Sequence, residues 1–198
     1  NLLEISKLKN YDLHNKSINL INVNFNQNKA FKNISSKSNQ YIKNCFKIAF
    51  DLIKKKYSNK FINGPISKKS FLNKKFLGIT EFIANEFTVE KNAMLIYNKE
   101  LSVCPVTTHL PLKFVSNNIK KKVLHEKINL INKFYNKNFD IKPRIGVLGL
   151  NPHCETIDRF NEDEKIIKPV IKFFKKSRYN ISGPLSADTA FLKNNRKN

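Results

Sequence analysis

The residues in this chain whose types could do chemistry together are His109 and His153. His109 ends the run "LSVCPVTTH", His153 follows the run "RIGVLGL", and each has a proline close by, Pro111 and Pro152, to stiffen its turn. Neutral imidazole is the commonest protein ligand for zinc-like divalent metals, and open α/β sheets keep their ligands beyond the carboxyl ends of strands. Two histidines on adjacent strand ends could therefore converge on one ion. Their separation in sequence has no motif value by itself, so a surface or capping role stays open for either. Cys154 adjoins His153, but consecutive side chains in a turn rarely aim at one point, and it reads as a buried or idle thiol. Nothing beside it marks a nucleophile placed at a helix start with its base. Glu155 and Asp188 are carboxylates that could contact an imidazole or a substrate. His14 and His125 read as incidental, one before a polar loop and the other in a lysine-rich helix.

The elements that must position these residues follow from periodicity. "SINLINVNF" (18–26) alternates apolar and polar residues and reads as a strand. The stretch 38–60 puts Ile42, Phe46, Ala49 and Ile53 on one helical face, with lysines gathering at its end where the helix dipole favours cations. A short strand then breaks at Gly64-Pro65 into a helix start capped by Ser67, and Thr80 is placed to cap a short helix over 78–87. "NAMLIYN" and "LSVCPVTTH" suggest a hairpin or closely paired strands. Leu124, Ile128, Ile131 and Tyr135 mark a long amphipathic helix over 119–139, and 144–150 is a buried-type strand. The stretch 161–176 opens with Glu162, Asp163 and Glu164 and closes in lysines, the charge order of a helix, with Pro169 marking a kink or restart. "YNIS" offers a last short strand before a loop over 183–191. Strands alternating with helices argue for an α/β fold.

The 198 residues are 40% hydrophobic, enough to bury a real core in one domain or two small ones. No apolar stretch reaches the roughly 20 residues of a membrane span, and the first residues lack a signal-peptide pattern. A cytoplasmic location is the default expectation. Cys45, Cys104 and Cys154 are too few and scattered for a disulfide framework or a structural zinc site. The net charge of +22 raises a nucleic-acid partner as an alternative. Against it, only Arg144, Arg159, Arg178 and Arg196 carry the guanidinium fork that base readout favours. Lysine is spread among abundant Asn, Ile and Phe, the mix an AT-rich genome would encode. Five glycines without a G-x-G-x-x-G or P-loop sequence leave the usual nucleotide fingerprints absent.

Read together and in order, "NGPISK" (63–68), "GITEFIA" (78–84), "TTHLPL" (107–112), "PRIGVLGLNPHCE" (143–155) and "ISGPLSADTAF" (181–191) resemble the 4-hydroxythreonine-4-phosphate dehydrogenase family. The resemblance spans residues 18 to 192. It implies an isocitrate/isopropylmalate dehydrogenase-like fold, two α/β/α domains around a cleft, with 1–77 part of the first domain and 78–198 the second. It implies a homodimer that uses NAD or NADP and a divalent metal (Zn, Mg or Co). The reaction would be the oxidation and decarboxylation of 4-phosphooxy-L-threonine to 3-amino-2-oxopropyl phosphate, in pyridoxal phosphate (vitamin B6) biosynthesis. By that likeness His109 and His153 are two of three histidine metal ligands, and Thr80 and Asp188 contact substrate. Lys68 is a candidate phosphate partner on charge. The expected partner is a small phosphorylated amino acid, with neither a membrane nor a nucleic acid.

The sequence departs from the family in three places. Ile79 stands where the family has a histidine. After "LNPH" the chain reads Cys154-Glu155-Thr156-Ile157 in place of Ala-Gly-Glu. The family's opening Gly-Asp-Pro-Ala-Gly and its third metal histidine fall outside the 198 residues. The expectation is an incomplete first domain, a fragment with little dehydrogenase activity by itself, and a related dehydrogenase for another phosphorylated hydroxy acid stays open.

Overall fold

The computed structural model describes residues 2–196 apart from 12, 14, 15, 30, 74 and 158, so His14 lies outside the described residues. The chain divides into two compact units, Asn1–Ile79 and Thr80–Asn198.

In the first unit, helix α1 (Asn39–Lys54) forms where the sequence places it and buries Phe46 and Phe50. Phe46 stacks on Phe71 at 5.6 Å between ring centroids and meets Phe61 edge-on at 6.1 Å. Aromatic pairs of this kind concentrate much apolar burial in few residues. Phe71 closes the short helix α2 (Lys68–Phe71). Ser67 stands at its N-cap position without a side-chain cap, and its carbonyl accepts the Phe71 N–H at 2.9 Å. The strand expected over 18–26 is reduced to one parallel bridge, Leu20 with Leu2. Alternation alone does not make a strand: this segment finds no ladder, and Ile18 remains 84% exposed.

The boundary between the units falls after the first residue of α3 (Ile79–Glu86), and the rest of that helix lies in the second unit. Thr80 is thus the second helical residue and does not occupy the capping position. Next, Ile96 and Val103 form a single antiparallel bridge with reciprocal hydrogen bonds of 2.8 and 2.9 Å. The hairpin expected here stops at that bridge, because Pro105 has no N–H with which to extend a ladder. His109 accordingly ends an irregular segment and not a regular strand. Helix α4 (Val115–Asn118) precedes α5 (Lys121–Phe139), which buries the predicted Leu124 and Ile128.

Strand β1 (Ile145–Leu148) leads through the 149–155 turn to a helix that begins at Glu162, widens into a π-turn over Asp163–Ile167 and continues as α6 (Lys168–Lys176). The wide turn is the form taken by the disturbance expected at Pro169, which offers no N–H to the carbonyl of Lys165. Strand β2 (Ile181–Leu185) then pairs parallel to β1. The register runs Ile145 to Ile181 and Gly146 to Ser182, then slips to Leu148 against Leu185. That extra residue falls at Gly183-Pro184, where proline cannot donate to the ladder. Strand β2 therefore extends beyond "YNIS" into what the sequence suggested was loop.

Against this two-stranded sheet pack α5 and the 162–176 helix. Leu124, Ile128, Ile145, Ile167, Val170, Ile171, Phe174 and Ile181 form the buried cluster. Phe174 is 1% exposed, and burying such a side chain contributes roughly 1.5–3 kcal/mol. His125 lies half-buried against the Phe173 and Phe174 rings at 4.7 and 4.9 Å, so it belongs to this packing.

Candidate metal and substrate site

The turn that carries His153 is built by the end of β1. The Gly149 N–H donates to the Leu185 carbonyl at 2.9 Å, which prolongs the β1–β2 pairing by one residue. A Cβ at Gly149 would meet Cys154 Sγ at 2.6 Å and Asp163 Oδ1 at 3.0 Å, so the bare backbone is what lets both groups come in. Asp163 accepts the Leu150 N–H at 2.9 Å on one carboxylate oxygen. Its other oxygen takes the Asn151 N–H at 3.1 Å and the Asn151 side-chain amide at 2.9 Å. A 3₁₀ turn over Pro152–Cys154 follows, closed by Cys154 N–H to Asn151 O at 3.0 Å and Glu155 N–H to Pro152 O at 3.1 Å.

The result exposes the His153 ring and buries Cys154. Both have left-handed backbone, with φ of 55° and 62°. His109, also exposed, has φ of 56°. Non-glycine residues take this region rarely, and it concentrates at sites where geometry outweighs local strain. Both histidines singled out by the sequence share it.

Asp188 lies in the turn after β2, next in the sheet to β1, and is exposed. The Ser186 hydroxyl donates to its Oδ1 at 2.7 Å. That bond, foremost, holds the Asp188 carboxyl below the ordinary aspartate value; desolvation opposes, while the Thr189 N–H and the charge of His153 reinforce the lowering. His153 and Asp188 thus lie in the turns that follow β1 and β2, at the carboxyl ends of paired parallel strands. The Cys154 thiol is pushed up, chiefly by burial and then by the negative Asp163, with Lys168 opposing. A buried thiol kept protonated suits packing and not nucleophilic or thiolate metal chemistry.

A second contact joins the sequence neighbours of Thr80 and His109. The Thr108 hydroxyl donates to Glu81 Oε1 at 3.3 Å. This ties α3 to the 103–109 segment one residue from both Thr80 and His109. Glu81 Oε2 is buried without a hydrogen-bond partner. Thr80 is half-buried in the first turn of α3, and Lys68 is exposed at the start of α2 in the first unit. A cavity of about 690 Å³ in the second unit is lined by Leu95, Thr107, Ile128, Gly149, Leu185 and Phe191 among others, and not by His109, His153, Thr80 or Asp188.

Imidazole with a neighbouring carboxylate is a donor set suited in type to a divalent cation. It falls short in number: among the described residues no group of three or more His, Cys, Asp or Glu side chains could hold a metal ion. Asp163, Ser186 and Glu81 are the residues of this region that sequence reasoning missed. Asp163 looked like a first-turn helix acid, and only its position on the turn after "LNPH" reveals a different partner.

Comparison with known proteins gives the family of the chain. A 4-hydroxythreonine-4-phosphate dehydrogenase from Sulfurihydrogenibium sp. is 35% identical over 178 residues, covering 88% of this chain and 54% of that protein. A protein of the same name from Aquifex aeolicus is 39% identical over 116 residues, 58% of this chain and 36% of its own length. The chain thus spans about half or less of the curated relatives it matches. A solved Salmonella typhimurium structure aligns with a TM-score of 0.79 at 24% identity, over 97% of this chain and 61% of that one. A 4-hydroxythreonine-4-phosphate dehydrogenase from Burkholderia phymatum aligns with a TM-score of 0.67 at 25% identity, over 87% and 53%. The family model described as pyridoxal phosphate biosynthetic protein PdxA matches residues 2–198, and this chain belongs to that family.

Proposed function

We propose that the chain supplies metal-binding and substrate-seating residues of an NAD(P)-dependent 4-hydroxythreonine-4-phosphate dehydrogenase of pyridoxal phosphate biosynthesis, working as a homodimer. In this reading residues 1–77 are part of a first α/β/α domain and 78–198 belong to a second. The observation that carries the proposal is the family match over residues 2–198, in a chain that sets His153 and Asp188 in the turns following the paired strands β1 and β2.

The roles follow from the chemistry of a phosphorylated β-hydroxy amino acid. His109 and His153 are the residues that would hold the divalent ion. When bound it supplies Lewis acidity at the hydroxyl being oxidised. Asp188, kept anionic by Ser186, is suited to receive the substrate's ammonium group, and Thr80 offers a hydroxyl to its polar atoms. A bound nicotinamide dinucleotide would supply the hydride acceptor for oxidation of the secondary alcohol, whose hydroxyl proton would leave to solvent. The ketone so formed would lie β to the carboxylate, and loss of CO₂, with one proton taken up from solvent at the carbon it leaves, would yield the aminoketone phosphate.

Cobalt(II) titration of the chain, read from the histidine ring resonances by NMR, tests this. Signals of His109 and His153 should broaden together at substoichiometric metal, with His125 unaffected. Either His109→Ala or His153→Ala should then weaken binding by at least about tenfold. Broadening of one histidine without the other, or of neither, would remove the shared site.

A further inference from the structure

Among the described residues Asp163 is the buried charged one, with 0% of its surface exposed, and it forms no ion pair there. A carboxylate taken out of water without a cation is costly, and an apolar side chain of similar size often serves a core better. What an apolar residue could not do is accept hydrogen bonds. Among the described residues, the three that Asp163 accepts come from Leu150 and Asn151, the two residues directly before Pro152 and His153. Asn161 holds the carboxylate's own backbone in place, its side-chain oxygen accepting the N–H groups of Asp163 at 3.0 Å and Glu164 at 3.2 Å. Glu162 takes the Asn151 amide from a second side at 3.2 Å.

Beyond this clamp the chain makes two consecutive left-handed residues, His153 and Cys154, neither of them glycine. Such backbone persists only where its surroundings over-determine it. The fixed points available are the Asp163 carboxylate before the turn and the buried Cys154 sulfur after it, with Gly149 leaving room for both.

We infer that Asp163 is a positioning residue for His153: by clamping the Leu150 and Asn151 amides from beneath, it sets the strained turn that presents the imidazole at the rim of the sheet. The inference goes beyond the proposed function and rests on it only for the importance of His153. The clamp acts through the backbone, and Asp163 itself touches neither the ring nor a ligand.

Asp163→Asn tests the idea in the metal-free chain, since it keeps size but replaces an accepting oxygen with a donor that faces N–H groups. The helical circular dichroism and a cooperative unfolding transition should survive. The His153 ring resonances should shift, and the Leu150 and Asn151 amides should exchange on the order of tenfold faster or more. His125, packed on Phe173 and Phe174 of the same helix, should stay in place and reports any general loosening. Ile171→Val, a destabilising change in the same core, should leave His153 unmoved. Unchanged His153 signals in Asp163→Asn, or His125 moving as much as His153, would overturn the inference. Should Asp163→Asn fail to fold, Asn151→Ala decides: it must shift His153 and spare His125, and an unshifted His153 counts against the clamp. If cobalt never reaches His153 in the unmodified chain, the metal reading fails while this one stands.

Discussion

At the scale of single residues, Asp188 shows how a surface carboxylate is tuned without burial. The Ser186 hydroxyl lowers its pKa first, so Asp188 stays ionised at lower pH than an unpaired aspartate. The sign follows from linkage: whatever Asp188 adds to stability is complete above the ordinary aspartate range and is lost as pH falls through the lowered value. Ser186→Ala should raise the Asp188 midpoint toward the ordinary value, as read from its carboxyl carbon by NMR titration. An unmoved midpoint would show that the hydroxyl does not act on it. Little of this was legible in the sequence. The string "SADT" marks a turn acid, but the Ser186 bond needs the backbone geometry after β2. Asp163 was legible as an acid opening a helix, which it is. Its partners lie on a different segment, and no local pattern names them. Cys154 was legible as an idle thiol because two neighbours in a turn cannot share a target, and it is indeed buried.

Among the elements, helices were read well and strands poorly. Helices α1 and α5 and the 162–176 helix each satisfy their hydrogen bonds internally, so a 3.6-residue period in the sequence suffices to specify them. A strand depends on what lies beside it. The segment 18–26 alternates correctly but pairs with another segment through a single bridge, Leu20 to Leu2, while β2 runs through a glycine and a proline because β1 is there to receive it. The π-turn over Asp163–Ile167 left no trace in periodicity beyond Pro169 itself. Gly183 is where β2 is most demanding: its φ is +127°, and an added Cβ would run into the Val147 carbonyl oxygen across the pair. Gly183→Ala should cost at least about 2 kcal/mol in urea unfolding, strain and overlap together. A loss under about 0.5 kcal/mol would mean that the bulge re-forms around the new methyl group.

For the whole molecule, stability in the second unit rests on one cluster shared by α5, α6 and the two strands. Phe174 is its most buried large side chain, whereas its neighbour Phe173 remains 53% exposed. Phe174→Ala should therefore cost about 3–5 kcal/mol by cavity formation, and Phe173→Ala under about 1 kcal/mol. Equal losses, measured by thermal unfolding of both variants, would show that the cluster does not carry the load assigned to it. No helix among the described residues is long and apolar enough to cross a membrane. The strand pair itself is narrow: among the described residues no third strand pairs with β1 or β2. A backbone laid along either free edge would widen the platform in steps of about 4.8 Å. Each step would move the ledge holding His153 and Asp188 from the border of the sheet toward its middle, turning an open shelf into the floor of a trough.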